Sequence, residues 1–202
     1  MKITNFITTL VDVPLERPIA TSIHQMKSVG FVLLELETDQ GLIGESCVMT
    51  LNAVRLKALH EMLLGFAHQV EGRDPHFVTA IWQDIWNELN PIGHKGFSIA
   101  ALTAIDTACW DLVGKAAGLP LHKVFGACRE HVKTYASGGL WLSQSIDDLV
   151  EEAAVLIDSG FRSMKIRLGK PTVSEDVERV AAVRDAIGPG IELLADANQA
   201  LT

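Results

Sequence analysis

Two short runs constrain this chain more than any other feature: Met164-Lys165-Ile166-Arg167-Leu168 and Leu194-Ala195-Asp196-Ala197-Asn198-Gln199. Each has the length and apolar content of a β-strand. The stretch between them opens with Thr172-Val173-Ser174-Glu175, a helix-capping pattern, and stops at Gly188-Pro189-Gly190. Strand, helix and strand at a period of about thirty residues predict a parallel pair joined by a crossover helix. Side chains alternate along a strand, so Lys165 and Arg167 share one face, as do Asp196 and Asn198. Side by side in a parallel sheet, these strands would gather two cations, a carboxylate and an amide at the C-terminal edge, where α/β enzymes place their chemistry.

The same grammar begins earlier. His131 to Ser137 reads as a strand, and Ser145-Ile146-Asp147-Asp148 is a capping box opening a helix through Ile157 that Ser159-Gly160 breaks. Three parallel strands do not close a barrel, and they leave an edge whose N–H and C=O groups lack partners. The sequence therefore implies either an open sheet or the front part of a longer chain.

Before about residue 125 the grammar differs. Ile3–Val13 is rich in Thr and Val, Phe31–Thr38 alternates apolar with acidic residues, and Asp39-Gln40-Gly41 is a hairpin-type turn into Leu42–Ser46. A small antiparallel sheet is expected there. Helices follow: one capped by Asn52 with Leu56, Leu59, Leu63, Phe66 and Val70 at helical spacing; one begun by Asp74-Pro75; and one from Ser98 to Ala117, stopped by Gly118-Leu119-Pro120. Strands followed by helices is an α+β pattern.

Composition narrows the function. At 202 residues and 48% hydrophobic, the chain can bury a real core. A net charge of −8 argues against nucleic acid or an anionic membrane as main partner. No unbroken apolar run approaches a membrane span, and the first residues lack a signal-peptide core. Cys47, Cys109 and Cys128 have no metal-ligand spacing, so reduced thiols and a cytoplasmic location are expected.

Three stretches together resemble the mandelate racemase/muconate-lactonizing group of the enolase superfamily. The first is Ala101-Leu102-Thr103-Ala104-Ile105-Asp106-Thr107-Ala108-Cys109-Trp110-Asp111-Leu112-Val113-Gly114-Lys115, completed by Pro120-Leu121 and Val124-Phe125-Gly126. The second is Lys165-Ile166-Arg167, similar to the group's Lys-x-Lys, and the third is Asp196-Ala197-Asn198. The resemblance implies an α+β capping domain (1–125) followed by the start of a (β/α) TIM-like barrel (126–202), incomplete in this chain. It implies abstraction of the proton next to a carboxylate through an enediolate, with Mg2+ as cofactor and a small carboxylate as substrate.

By that resemblance Asp196 is a metal ligand, Lys165 and Arg167 are the catalytic cations, and Asn198 and Ser137 lie near the substrate. His24 belongs to a capping-domain loop, Thr21-Ser22-Ile23-His24, that covers the site. Arginine stands where the group has a second lysine. It remains protonated and is a poor base, which favours an acid-sugar dehydratase over a racemase, epimerase or cycloisomerase. The other carboxylate ligands and the His–Asp dyad would lie past residue 202, so the chain alone is expected to be inactive. A homo-oligomer is expected, and a non-catalytic interaction module is the reading from another class. An unrelated open α/β binding domain would carry a glycine-rich phosphate loop, and none is present in the G-x-G-x-x-G or P-loop form.

Overall fold

The structure, a computed structural model, describes residues 1–200. It divides into two compact units: Met1–Pro14 with Ser28–Cys128, and Leu15–Lys27 with the chain from Arg129 on.

Three strands, β1 (Ile3–Ala20), β2 (Gln25–Thr38) and β3 (Ile43–Leu51), form one sheet in the order β1-β2-β3, of which residues 3–14 and 28–51 belong to the first unit. All three run longer than their sequence patterns suggest. β1 is an edge strand, where the missing N–H groups of Pro14 and Pro18 are tolerated. β2 and β3 are antiparallel, with Leu34 opposite Ser46 and Leu36 opposite Gly44. Val32, Leu34 and Leu36 are buried, as the alternation requires.

Behind that face lie α1 (Leu56–Leu64), α2 (Ala67–Val70), α3 (Val78–Glu88), α4 (Phe97–Ala117) and α5 (Leu121–Val124). Leu59, Leu63, Ile81, Ile85, Ile105, Ala108 and Leu112 join the strand residues in one core. A β-carbon at Gly44 would overlap the Ala108 carbonyl and the Leu112 side chain, so glycine is what lets β3 approach α4.

Three expectations change here. Asn52 does not cap α1: Asn52, Ala53 and Arg55 take left-handed conformations, and the helix starts at Leu56. Asn52 Oδ1 instead accepts from Ser28 N at 3.4 Å, holding the end of the β2–β3 pair. Asp74 caps a single 3-10 turn, Pro75–Phe77, before α3 begins. Finally, α4 is long and apolar enough, by length and composition, to cross a membrane, although scattered polar residues interrupt its apolar run. Half of that stretch is buried inside the fold, where α4 serves as the core helix. It ends at Gly118, in the left-handed conformation the glycine stop signal predicts.

The second unit contains α6 (Ile146–Asp158), β4 (Ser163–Arg167), α7 (Val173–Ile187) and β5 (Glu192–Asp196). Both helices open with the expected reciprocal capping boxes, Ser145 with Asp148 and Thr172 with Glu175. β4 and β5 are parallel, with Lys165 opposite Leu194 and Arg167 opposite Asp196. Met164, Ile166, Leu149, Ala153, Val183 and Ile187 form the core between sheet and helices.

The expected strand His131–Ser137 contracts to one parallel bridge, Ala136 to Met164. Ala136 N–H donates to Ser163 O and its carbonyl accepts from Lys165 N, and farther on Leu140 O accepts from Arg167 N. Residues 131–135 are exposed, Val132 at 73%, so they have neither the ladder nor the burial that would hold them extended.

Candidate active site

All six residues singled out from the sequence lie in the second unit. The register that sets Arg167 opposite Asp196 brings the ends of β4 and β5 level. Lys165 Nζ donates to Asp196 Oδ2 at 3.0 Å, and Arg167 Nε lies 4.0 Å from the same oxygen. The other carboxylate oxygen, Oδ1, accepts the backbone N–H of Asn198 at 2.9 Å, closing an Asx-turn. That N–H, followed by the Lys165 ammonium, holds the Asp196 carboxyl below the usual carboxylate range.

Arg167 is pinned more firmly than Lys165. Its side chain is 5% exposed. Nη2 donates to Ser137 O at 2.8 Å, Nη1 donates to Lys165 O at 3.2 Å, and the guanidinium lies 4.4 Å from the Trp141 ring centroid. Burial pushes its pKa below the ordinary arginine value, with Asp196 opposing. Nε is buried without a partner. Lys165 has looser surroundings: one ion pair, and the Tyr135 ring 5.6 Å from Nζ.

Asn198 does not share a strand face with Asp196, because β5 ends at Asp196 and Asn198 sits in a left-handed turn (φ +45°). Its amide Oδ1 is buried and has no hydrogen-bond partner among the described residues. Ser137 meets the cluster through its carbonyl. His24 is exposed; its backbone closes a turn with Thr21, and it is not among the groups bonded to the Lys165–Asp196 pair.

Several contributors were not singled out as site residues from the sequence. Ser22 Oγ reaches the carbonyls of Ala197 and Asn198, both at 3.1 Å, and so ties the 15–27 hairpin to the turn after β5. Arg179, buried on α7, donates to Trp141 O at 3.1 Å and Gln144 O at 2.9 Å. Glu152, on α6, accepts from Leu140 N at 2.6 Å and Gln144 Nε2 at 2.9 Å. Together these two fix the loop that carries Ser137 and Trp141 to Arg167. Their helical spacing gives no sign of this, although Arg179 is a cation on the buried stripe of an amphipathic helix, which is an unusual place for one.

Carboxylate and amide oxygens are hard donors of the kind magnesium prefers. Each Asp196 oxygen has one bonded neighbour here and room for another, and Asn198 Oδ1 has none among the described residues. The Asp196 carboxylate is therefore a donor of the kind a magnesium site uses. Among the described residues, no group of three or more His, Cys, Asp or Glu could hold a metal ion.

A parallel strand pair with its charged cluster at the C-terminal ends, preceded by an α+β unit, defines the class: a capping domain followed by the start of an enolase-type barrel domain. Residues 3–126 match the family model "Mandelate racemase / muconate lactonizing enzyme, N-terminal domain", and residues 148–202 match "Enolase C-terminal domain-like". The chain belongs to the mandelate racemase/muconate lactonizing enzyme family.

Among characterised relatives, it is 33% identical to the 3,6-anhydro-alpha-L-galactonate cycloisomerase of Streptomyces coelicolor, over 96% of this chain and 54% of that protein. It is 29% identical to the arabinonate dehydratase of Saccharolobus solfataricus, over 85% and 46%. The structure of L-talarate/galactarate dehydratase from Salmonella typhimurium LT2, liganded with Mg and L-lyxarohydroxamate, superposes with a TM-score of 0.93 at 26% identity, covering 100% of this chain and 53% of the other. A racemase from Streptomyces coelicolor with bound magnesium gives 0.90 at 32% identity, covering 99% and 56%. The chain spans about half the length of the relatives it matches.

Proposed function

We propose that this chain is the capping domain and leading barrel segment of a magnesium-dependent enzyme that removes the proton next to a carboxylate, most simply an acid-sugar dehydratase. The observation that carries the reading is the Lys165–Asp196 pair at the matched C-terminal ends of β4 and β5, with Arg167 immobilised beside it. Dehydratases, a racemase and cycloisomerases among the relatives support the reaction class.

Asp196 would hold magnesium on this side of the site, with Asn198 in the turn that follows it. When bound, the ion supplies a Lewis acid that takes up charge developing on the substrate carboxylate. Lys165 supplies the amine of the cluster, held by Asp196, and is suited to moving a proton or meeting the substrate carboxylate. Arg167 contributes fixed positive charge: two backbone carbonyls and the Trp141 face hold it still, so it is no proton acceptor. With arginine in place of a second amine, two-base racemisation through this strand is disfavoured, which supports loss of a β-hydroxyl after deprotonation. Ser22 and the Thr21–His24 turn hold the hairpin against the turn that carries Asn198.

The chain spans about half the length of its relatives, so turnover is tested together with the length of the protein that carries it. The test pairs an intact-mass measurement with magnesium-dependent turnover of an acid-sugar panel on the same sample, scoring 2-keto-3-deoxy acid formation. A mass above 22.0 kDa with keto-acid formation supports the dehydratase. Epimerised substrate without keto acid overturns it in favour of the racemase reading.

A further inference from the structure

Asp196 Oδ2 faces two cations at once. Lys165 Nζ donates to it at 3.0 Å, and Arg167 Nε stands at 4.0 Å. A divalent ion arriving at that oxygen would meet both positive charges within a few ångströms, where repulsion is strong in a partly buried site. Oδ2 has room for a second neighbour, so the conflict is one of charge and not of space, and the structure distinguishes which cation is freer to relieve it. Arg167 is buried, bonded to two backbone carbonyls, and covered by Trp141. Moving it would strip two carbonyls of their donor and uncover an aromatic face. Lys165 keeps a single side-chain acceptor, Asp196 itself, and is 16% exposed at the end of a four-carbon stem. Asp196 cannot turn away either, since its other oxygen is fixed by the Asn198 N–H.

Accepting Asp196 as a metal ligand, we propose that Lys165 is a built-in competitor for that ligand: its ammonium holds the Asp196 oxygen until a divalent cation displaces it. The metal affinity of this half of the site is then set by Lys165 as much as by Asp196. Metal arrival swings the amine off the carboxylate and presents it to the substrate side, so ion binding and amine presentation become one event. Arg167, which does not move, lowers affinity by a constant amount.

The test uses Mn2+ as probe on the purified protein, with bound and free ion followed by electron paramagnetic resonance and water-proton relaxation, and no activity readout. In Lys165→Met and Lys165→Gln, the Mn2+ dissociation constant should fall at least tenfold, whereas Lys165→Arg should stay within about threefold of wild type. Two neutral variants guard against a local folding defect in either one. Unchanged or weaker binding in both, including no binding in any protein, overturns the competition. The double variant Lys165→Met/Asp196→Asn separates the two layers. If the gain is lost there, Asp196 is the ligand in contention. If tightened binding survives, both the ligand assignment and the competition fall. If Asp196→Asn alone weakens binding but Lys165→Met gives no gain, only the competition falls.

Discussion

The two units bury their cores in different ways. In the first, one sheet face and the stripes of α1, α3 and α4 close on one another, and the strands' buried side chains belong to the same cluster as the helices'. In the second, α6 and α7 cover β4 and β5, and β5 has a strand neighbour on one side only among the described residues. The candidate site lies in the second unit. A closed core needs apolar side chains pointing inward on every strand. A site at a sheet edge needs charged side chains at strand ends and loops that can be held by other means. Here those means are polar: Arg179, Glu152 and Ser22 tie backbone groups that no ladder pairs.

Four experiments would sharpen or break that contrast. The largest effect belongs to Asp196→Asn, which should lower magnesium-dependent turnover at least about a hundredfold in a protein long enough to be active. Its far-UV circular dichroism and the melting of the first unit should be unchanged. Retained activity would remove Asp196 from the site.

Next come cavities in the two cores. Leu112→Ala should cost about 2–5 kcal/mol and lower the denaturation midpoint of the first unit. Leu149→Ala, equally buried in the second, should act on the second unit alone. Equal loss of hydrogen-exchange protection in both units from either variant would mean they unfold as one.

Acid should separate them as well. Asp148, Glu175, Glu192 and Asp196 in the second unit are all held below their ordinary values: Asp148 and Glu175 by capping bonds, Glu192 by Lys133 and Ser163, and Asp196 by the Asn198 N–H and Lys165. A depressed carboxyl contributes stability that is present above its unfolded pKa, about 4, and is lost as pH falls through the lower folded value. In the first unit Asp74 behaves the same way, held down by His76, but burial raises Asp106, so protonating that group relieves a penalty as pH falls. Hydrogen exchange between pH 5 and 3 should therefore show the second unit opening first. Simultaneous opening would refute the assignment.

The smallest effect expected is that of Ser22→Ala. It removes one hydroxyl donor shared between two carbonyls, about 1 kcal/mol. It should raise exchange in residues 15–27 and 197–199 while leaving α4 protected.

Much of this molecule could be read directly. The alternation of Val32, Leu34 and Leu36, the two capping boxes, the glycine stop after Ala117, and the period that makes β4 and β5 parallel are local or periodic signals, fixed by backbone geometry over a few residues. The family resemblance pointed to Lys165 and Asp196 in the same way, because strand order and spacing place them at neighbouring ends. What the sequence could not determine depends on partners distant along the chain. Residues 131–135 have strand-forming composition but no ladder to join. Asn52 has a cap's chemistry and is used at the end of a hairpin. Asn198 leaves its strand because Asp196 captures its N–H. Arg167 became a pinned charge, and Lys165 a displaceable one, only when the fold set two carbonyls and an indole around the first and a single carboxylate beside the second. Those differences depend on the surroundings of each side chain, and tertiary structure alone supplies them.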